Sequence, residues 1–370
     1  MRTWIGRVLL VFSGMLISVI LLEFLLRIAS GLLLPANLQL ALQVQRMVQE
    51  RSQMFYDDPE LGHVLKPGLD VDLALEEDFQ FHVRTSDLGL GGPGFRDANV
   101  HPPVYAVAIG DSFTYGLGVE EEETWVAQLQ QRLGKEVVNL GQPGVGPVRE
   151  ARIYQQYGRP LQPSIVLWML FPNDLEDAMV FNGFGRSKAV GPDIWDRVFT
   201  ALRPWSRLAL LVEFSLGRGP FTWAGGYEVH PVAGELMFFH PDQMARLIDF
   251  SDPYIEKGWW ISRNSLTESV QAAKADGSRF ILILAPPRER VYIHLLTDDP
   301  ANAPFNTDAL FTRYKQLGKD LDIEVIDLTD SFVQAAQAGE RLYLTRDGHW
   351  NAAGHALVAK VLANYLETNP

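Results

Sequence analysis

Tyr105-Ala106-Val107-Ala108-Ile109 runs without a break into Gly110-Asp111-Ser112-Phe113-Thr114-Tyr115-Gly116. A short apolar run that stops at glycine and polar residues reads as a strand covered on both faces, with a sharp turn at its carboxyl end. The same grammar recurs at Val137–Leu140, Ile165–Leu170, Phe280–Leu284 and Ile323–Leu328, the last interrupted by Glu324 and Asp327. Helical stripes lie between most of these runs: Trp125, Val126, Leu129 and Leu133; Leu266, Val270 and Ala273; and, closing the chain, Leu357, Val361, Leu362 and Tyr365. Strands alternating with amphipathic helices specify an α/β protein with a parallel, doubly wound five-stranded sheet. From about residue 175 to 260 the alternation lapses into a stretch rich in Trp, Phe, Pro and Gly, which we read as an insertion capping the sheet.

The chain has 370 residues, of which 47% are hydrophobic and 21% charged, enough apolar material for a large core. Lys and Arg number 32 against 45 Asp and Glu, for a net charge of -13, so the basic footprint that nucleic acid requires is missing. With no cysteine, thiolate nucleophiles, thiolate metal sites and disulfides are excluded.

Arg2 and Arg7 precede an uncharged run from Val8 to Leu22, followed by Glu23, Arg27 and further apolar residues to Leu34. A spanning helix needs about 20 apolar residues, so a span has to pass through Glu23 and Arg27, which stand four apart and can pair on one helix face. Residues 1–34 are expected to be an N-terminal transmembrane anchor, with a cleaved signal segment as the alternative. The leading arginines place the remainder outside the cytoplasm, either periplasmic or at the cell surface. Residues 35–98 read as a stalk and an irregular leader: Leu40, Val44, Met47 and Val48 at helical spacing, then extended pieces such as Phe79–Arg84. Residues 99–370 read as the catalytic domain.

In open α/β sheets reactive groups gather at strand carboxyl ends, which puts Ser112 at the cleft. The second strand ends in Asn139-Leu140-Gly141-Gln142-Pro143-Gly144 and the third in Phe171-Pro172-Asn173-Asp174. A serine attacking a carbonyl needs donors where the oxyanion forms, and the Gly144 N–H and the Asn173 amide fit that need. Each motif taken singly also reads as a plain turn or a helix cap. Asp347-Gly348-His349-Trp350-Asn351, just before the last helix, offers an imidazole base and a carboxylate to orient it. His355 belongs to the closing helix. A metal site of Asp347, His349 and His355 lacks a further ligand at suitable spacing, and neither metal nor cofactor is expected.

Taken together, these blocks resemble the SGNH, or GDSL-like, hydrolase family, whose serine, glycine, asparagine and histidine follow successive strands in that order. The resemblance runs from about Gly94 to Leu366. It implies a flavodoxin-like three-layer sandwich, with Ser112 as nucleophile, His349 as base and Asp347 as its partner. The Ser112 N–H, Gly144 and Asn173 would form the oxyanion hole. The family's usual Asp-x-x-His is here Asp-x-His, and Asp347-Gly348-His349-Trp350 is similar to the membrane-anchored branch related to alginate O-acetylation proteins. That resemblance implies a serine esterase or O-acyltransferase acting on an acylated carbohydrate or another extracytoplasmic ester.

Two other functions stay open at this point, a catalytically inactive glycan-binding or assembly protein and a lipid esterase. Trp195, Trp205, Trp223, Trp259 and Trp260 would give the former its stacking faces. Arg96, Arg288 and Tyr292 are weaker substrate-binding candidates, each with a structural alternative: an ion pair for Arg96, packing against the cap for the other two. The sequence identifies no protein partner.

Overall fold

Five parallel strands form the centre of the molecule: β5 (Ala106–Ile109), β6 (Val137–Asn139), β7 (Ile165–Leu170), β10 (Arg279–Leu284) and β11 (Glu324–Asp327), in the order β11-β10-β7-β5-β6. The computed structural model describes residues 2–28, 53–76, 79–97, 100–181, 194–202, 205–215 and 227–369. Renumbered within the sheet, the order is 2-1-3-4-5, the flavodoxin-type doubly wound arrangement. Side-chain alternation then builds two cores from the same strands. Val107, Ile109, Val166, Trp168, Leu170, Leu282 and Leu284 face one side, while Ala106, Ala108, Ile165, Leu167, Met169, Ile281 and Ile283 face the other. With both faces covered by helices, every residue of β5 and β7 is buried.

The polar residues that interrupt the last strand are explained by its position at the sheet edge. Glu324 pairs with Arg279 and accepts from the Tyr365 hydroxyl at 2.6 Å, while Asp327 pairs with Lys315 and accepts from the Thr329 N–H. Helix Trp125–Leu133 starts at Thr124, whose hydroxyl accepts from the Ala127 N–H. Ahead of the sheet lie two antiparallel hairpins, β1 (Phe55–Asp58) with β2 (Gly62–Leu65) and β3 (Asp70–Glu76) with β4 (Phe79–Arg84). Within the insertion, β8 (Glu228–Val232) pairs with β9 (Glu235–Phe239). Trp259, on the long helix Pro253–Ala275, packs edge-on against Tyr314, whereas Trp260 is exposed.

By internal packing the chain divides into two units, one of residues 54–186 and 225–370, the other of residues 1–53 and 187–224. The second contains helices Arg2–Ile28, Ile194–Leu202 and Arg207–Ser215. Glu23 is tied to Arg27 at 2.9 Å and also accepts from Ser206 Oγ and from the N–H groups of Arg207 and Leu208, satisfying the start of the last of these helices. Arg27 in turn donates to the Trp205 carbonyl at 2.6 Å. Among the described residues no helix is long and apolar enough to cross a membrane. The expected helix through Leu40, Val44, Met47 and Val48, as well as Trp223, lies outside the described residues.

His355 is 1% exposed in the closing helix Ala352–Thr368, and its Nδ1 accepts from the Trp125 N–H at 3.2 Å. Burial, with smaller contributions from Arg96 and His349, pushes this imidazole down from 6.5 to about 3. The unfolded chain therefore takes up a proton that the fold refuses. The stability this neutral His355 provides is intact above about pH 6.5 and drains away as the pH falls towards 3, by up to about 1.4 kcal/mol per pH unit. Denaturant unfolding of His355→Asn, which retains an acceptor for Trp125, is expected to show a flatter decline over that window than the parent. Equal slopes would contradict this assignment.

Candidate active site

Strand β5 delivers Ser112 through a turn that only glycine permits: Gly110 lies at φ +155, and a Cβ there would come within 2.3 Å of Thr114 Oγ1. The carboxylate of Asp111 then caps the short helix Ser112–Tyr115 by accepting from the Phe113 N–H at 2.9 Å. This stops Ser112 at the carboxyl edge of the sheet, between the ends of β6 and β7, where the strand order reverses.

His349 arrives on the loop before the last helix. Its Nε2 stands 2.7 Å from Ser112 Oγ, and its Nδ1 makes a short contact with Asp347 Oδ1. The same carboxylate oxygen accepts from the His349 backbone N–H at 2.9 Å. A turn closed by the Asp347 side chain onto the residue two positions along thus lets an Asp-x-His spacing do what a longer one does elsewhere. The imidazole rests on Phe113, 4.8 Å between ring centres, and Phe113 stacks in turn on Phe171 and meets Trp350 edge-on. Burial works against the charge on Asp347, but the imidazole, the two N–H groups of His349 and the nearby Arg288 together hold its carboxyl well below the usual range.

Gly144 follows β6, exposed and in the left-handed region at φ +71. Asn173 follows β7 at the head of the helix Asp174–Met179, and its amide Nδ2 donates to Asp177 Oδ2 at 2.9 Å. Beneath this edge is a cluster of acids that the sequence did not announce. Burial pushes Asp111 up, opposed by the Phe113 N–H and by His349. Glu150 and Asp174 are driven much higher by burial and then by neighbouring carboxylates. Glu150 accepts from Trp168 Nε1 at 2.8 Å and Asp174 from the Phe171 N–H at 2.8 Å, while the second oxygen of each is buried with no partner among the described residues. Asp177 is raised to about 7 by burial and Asp111, against the pull of Arg149.

The three weaker substrate candidates are turned inward. Arg96 is 2% exposed and donates to the carbonyls of Gly116, Val119 and His82, binding the leader to the turn that follows the Ser112 helix. Arg288 is also buried and donates to the carbonyls of Asp347 at 2.8 Å and Arg346 at 3.1 Å, with Glu289 beside it. Tyr292 donates to the Glu340 carbonyl and accepts from the Leu342 N–H. These side chains shape the backbone under Ser112 and His349; the substrate contact expected for them is not what the structure places there. Sequence reasoning missed Asp177 and Arg149. The available signal was an acid four residues after Asn173, hence on the same helix face, and a base five residues after Gly144. Among the described residues no group of three or more His, Asp or Glu stands where it could hold a metal ion.

No curated protein matches the chain. Solved structures similar to it include the acetyl xylan esterase AlAXEase at 14% identity and TM-score 0.40, covering 71% of this chain and 100% of that one. A variant of Axe2, an acetyl-xylooligosaccharide esterase from Geobacillus Stearmophilus, is 15% identical with TM-score 0.40, covering 72% and 94% of the two chains. A GDSL-like lipase from Bacteroides thetaiotaomicron VPI-5482 is 12% identical with TM-score 0.38, covering 72% and 90%. At such scores these likenesses carry no argument, and membership rests on a match to the family model of the GDSL-like lipase/acylhydrolase family over residues 108–357. That match takes in Ser112, Gly144, Asn173, Asp347 and His349, so the chain belongs to the GDSL-like lipase/acylhydrolase family and is an ester-hydrolysing enzyme.

Proposed function

We propose that the protein is a membrane-held, extracytoplasmic serine esterase or O-acyltransferase that forms an acyl-Ser112 intermediate on an O-acylated glycan. The observation that carries the chemistry is the continuous relay from Ser112 Oγ to His349 Nε2 at 2.7 Å and from His349 Nδ1 to Asp347. As Ser112 Oγ attacks the ester carbonyl, His349 takes its proton through Nε2. The oxyanion of the tetrahedral intermediate is met by the N–H groups of Ser112 and Gly144 and by an amide hydrogen of Asn173. His349 then returns the proton to the departing alkoxide, leaving an acyl ester on Ser112. Water or a sugar hydroxyl, deprotonated by the same imidazole, attacks that ester and regenerates the serine. Asp347 stays ionised throughout, fixing the tautomer with Nδ1–H and balancing the imidazolium.

The choice of a glycan and of transfer rests on the resemblance of Asp347-Gly348-His349-Trp350 to the O-acetylation branch. Support for the membrane comes from the first helix. Leu10, Met15, Leu16, Ile17, Ile20, Leu21, Phe24 and Leu25 are all exposed around it, an apolar surface that water penalises. The run from Val8 to Leu22 is uncharged, and Glu23 and Arg27 pair with each other at its end. Arg2 and Arg7, ahead of that run, support a start of the chain on the cytoplasmic side.

A serine-reactive fluorophosphonate is expected to label the full chain at Ser112 alone, and Ser112→Ala to abolish both labelling and ester cleavage; an adduct elsewhere, or retained turnover, would remove Ser112 from its role. Asp347→Asn is expected to lower kcat by about 10⁴-fold, the scale for an imidazole held in the wrong tautomer, with the melting temperature little changed. After alkaline extraction of expressing cells, the full chain is expected to stay with the membranes and to be released by detergent. Recovery in the aqueous wash would count against the anchor.

A further inference from the structure

Gly144 and Asn173 sit on different strand ends, and each is gripped by a polar side chain from the helix that follows its strand. Arg149, in the first turns of helix Pro147–Ile153, donates through Nη2 to the Gly144 carbonyl and through Nη1 to the His63 carbonyl at 3.3 Å. Asp177, four residues after Asn173 on the helix Asp174–Met179, accepts from the Asn173 amide at 2.9 Å. The two helices touch at this point: a Cβ on Gly146 would fall 2.7 Å from the Cβ of Asp177, so glycine there is what lets the acid come in under the hole. Arg149 and Asp177 also act on each other electrostatically, each favouring the charged form of the other.

Asn173 makes the consequence specific. Its Oδ1 is buried with no partner among the described residues, so nothing on its oxygen side tells the amide which way to face. A carboxylate accepts from N–H and repels carbonyl oxygen, so Asp177 favours the orientation that turns Nδ2 towards it. Turned by half a rotation, the amide would set Oδ1 against that carboxylate and offer a dipole of the wrong sign to a developing oxyanion. Asp111 also accepts from the Asn173 amide, so two carboxylates favour the same orientation, and Asp177 is the one supplied by the helix that Asn173 itself begins. The titratable groups acting on Asp177 are Asp111, Arg149 and Glu176, and Asp177 in turn acts on Glu150 and Asp174.

We infer that Arg149 and Asp177 form a hydrogen-bonded brace that positions the oxyanion hole, Arg149 by holding residue 144 and Asp177 by favouring one orientation of the Asn173 amide. Both are positioning residues, acting through Gly144 and Asn173. The inference rests on the proposed role of those two residues as oxyanion donors.

The experiment compares Asn173→Ala, Asp177→Ala, Asp177→Asn, Arg149→Gln and the double variant Asn173→Ala/Asp177→Ala in the full-length protein in detergent, with p-nitrophenyl acetate as substrate. Asn173→Ala is expected to lower kcat by about 10²-fold or more, the scale of one lost oxyanion donor. Asp177→Ala is expected to lower kcat by roughly 10-fold or more, the scale of a hydrogen bond to a charged group, with KM within about 2-fold. The isosteric Asp177→Asn, which keeps the volume if the alanine variant melts early, and Arg149→Gln are expected to move kcat the same way at unchanged KM. In the Asn173→Ala background the Asp177→Ala loss is expected to vanish, because there is no amide left to orient. If Asn173→Ala is harmful but Asp177→Ala and Asp177→Asn are neutral, or if the Asp177 loss persists undiminished in the double variant, the brace is refuted and the oxyanion reading stands. If Asn173→Ala itself leaves kcat unchanged, the oxyanion reading falls and takes the brace with it.

Discussion

The active site depends on one pairing, that of β5 lying parallel between β6 and β7. Parallel strands point their carboxyl ends the same way, so three consecutive strand ends, at Gly110, Leu140 and Phe171, open onto one edge. Had any of the three run antiparallel, its terminal loop would lie at the opposite end of the sheet, roughly 3.3 Å per residue away. Parallel pairing in turn requires long crossovers, and the helices that make them cover both faces. The doubly buried apolar strands are the energetic condition for the site, as well as its scaffold.

That scaffold brings an electrostatic cost to the edge where the chemistry occurs. Asp111, Glu150 and Asp174 are buried around the Ser112 and Asn173 turns, and carboxyl groups removed from water and crowded together resist ionisation. Disfavouring ionisation at Glu150 and Asp174 limits the negative charge behind a hole that must accept a negative oxygen. The carboxylate that must be charged, Asp347, is instead surrounded by donors on the far side of the imidazole. Environment thus separates buried acids whose ionisation is disfavoured from Asp347, whose ionisation is favoured.

Much of this was legible in the sequence because it is written in strict local patterns. The five strands appear as apolar runs within a residue or two of their observed limits, and Ser112, Gly144, Asn173 and His349 each follow a strand or precede a helix as the chemistry requires. The paired Glu23 and Arg27 follow from helix geometry alone. Other features depend on chain segments far apart. Nothing local shows that helices Ile194–Leu202 and Arg207–Ser215 belong to one unit with helix Arg2–Ile28, or that Glu23 caps a helix starting near residue 207. Arg96, Arg288 and Tyr292 carry the functional groups of substrate contacts, and only tertiary packing shows that the Arg96 and Arg288 Nη groups and the Tyr292 hydroxyl donate to backbone carbonyls.

The departure from the usual Asp-x-x-His spacing has a structural consequence of its own. With one residue between them, Asp347 and His349 are joined by a backbone bond as well as by the imidazole contact, so the carboxylate is oriented by the peptide of the residue it serves. Arg288 adds a third constraint by holding the Asp347 and Arg346 carbonyls, and Phe238 a fourth by donating from β9 to the Thr345 carbonyl at 2.8 Å. A short turn has fewer internal degrees of freedom to absorb error, and its geometry is correspondingly set from outside, by a buried guanidinium and by a strand of the inserted hairpin. The inserted hairpin therefore helps determine where His349 stands, in addition to whatever it contributes to substrate access. Changes there would be felt at Ser112 through the backbone of residues 345–347, along a path of hydrogen bonds each of which the structure contains.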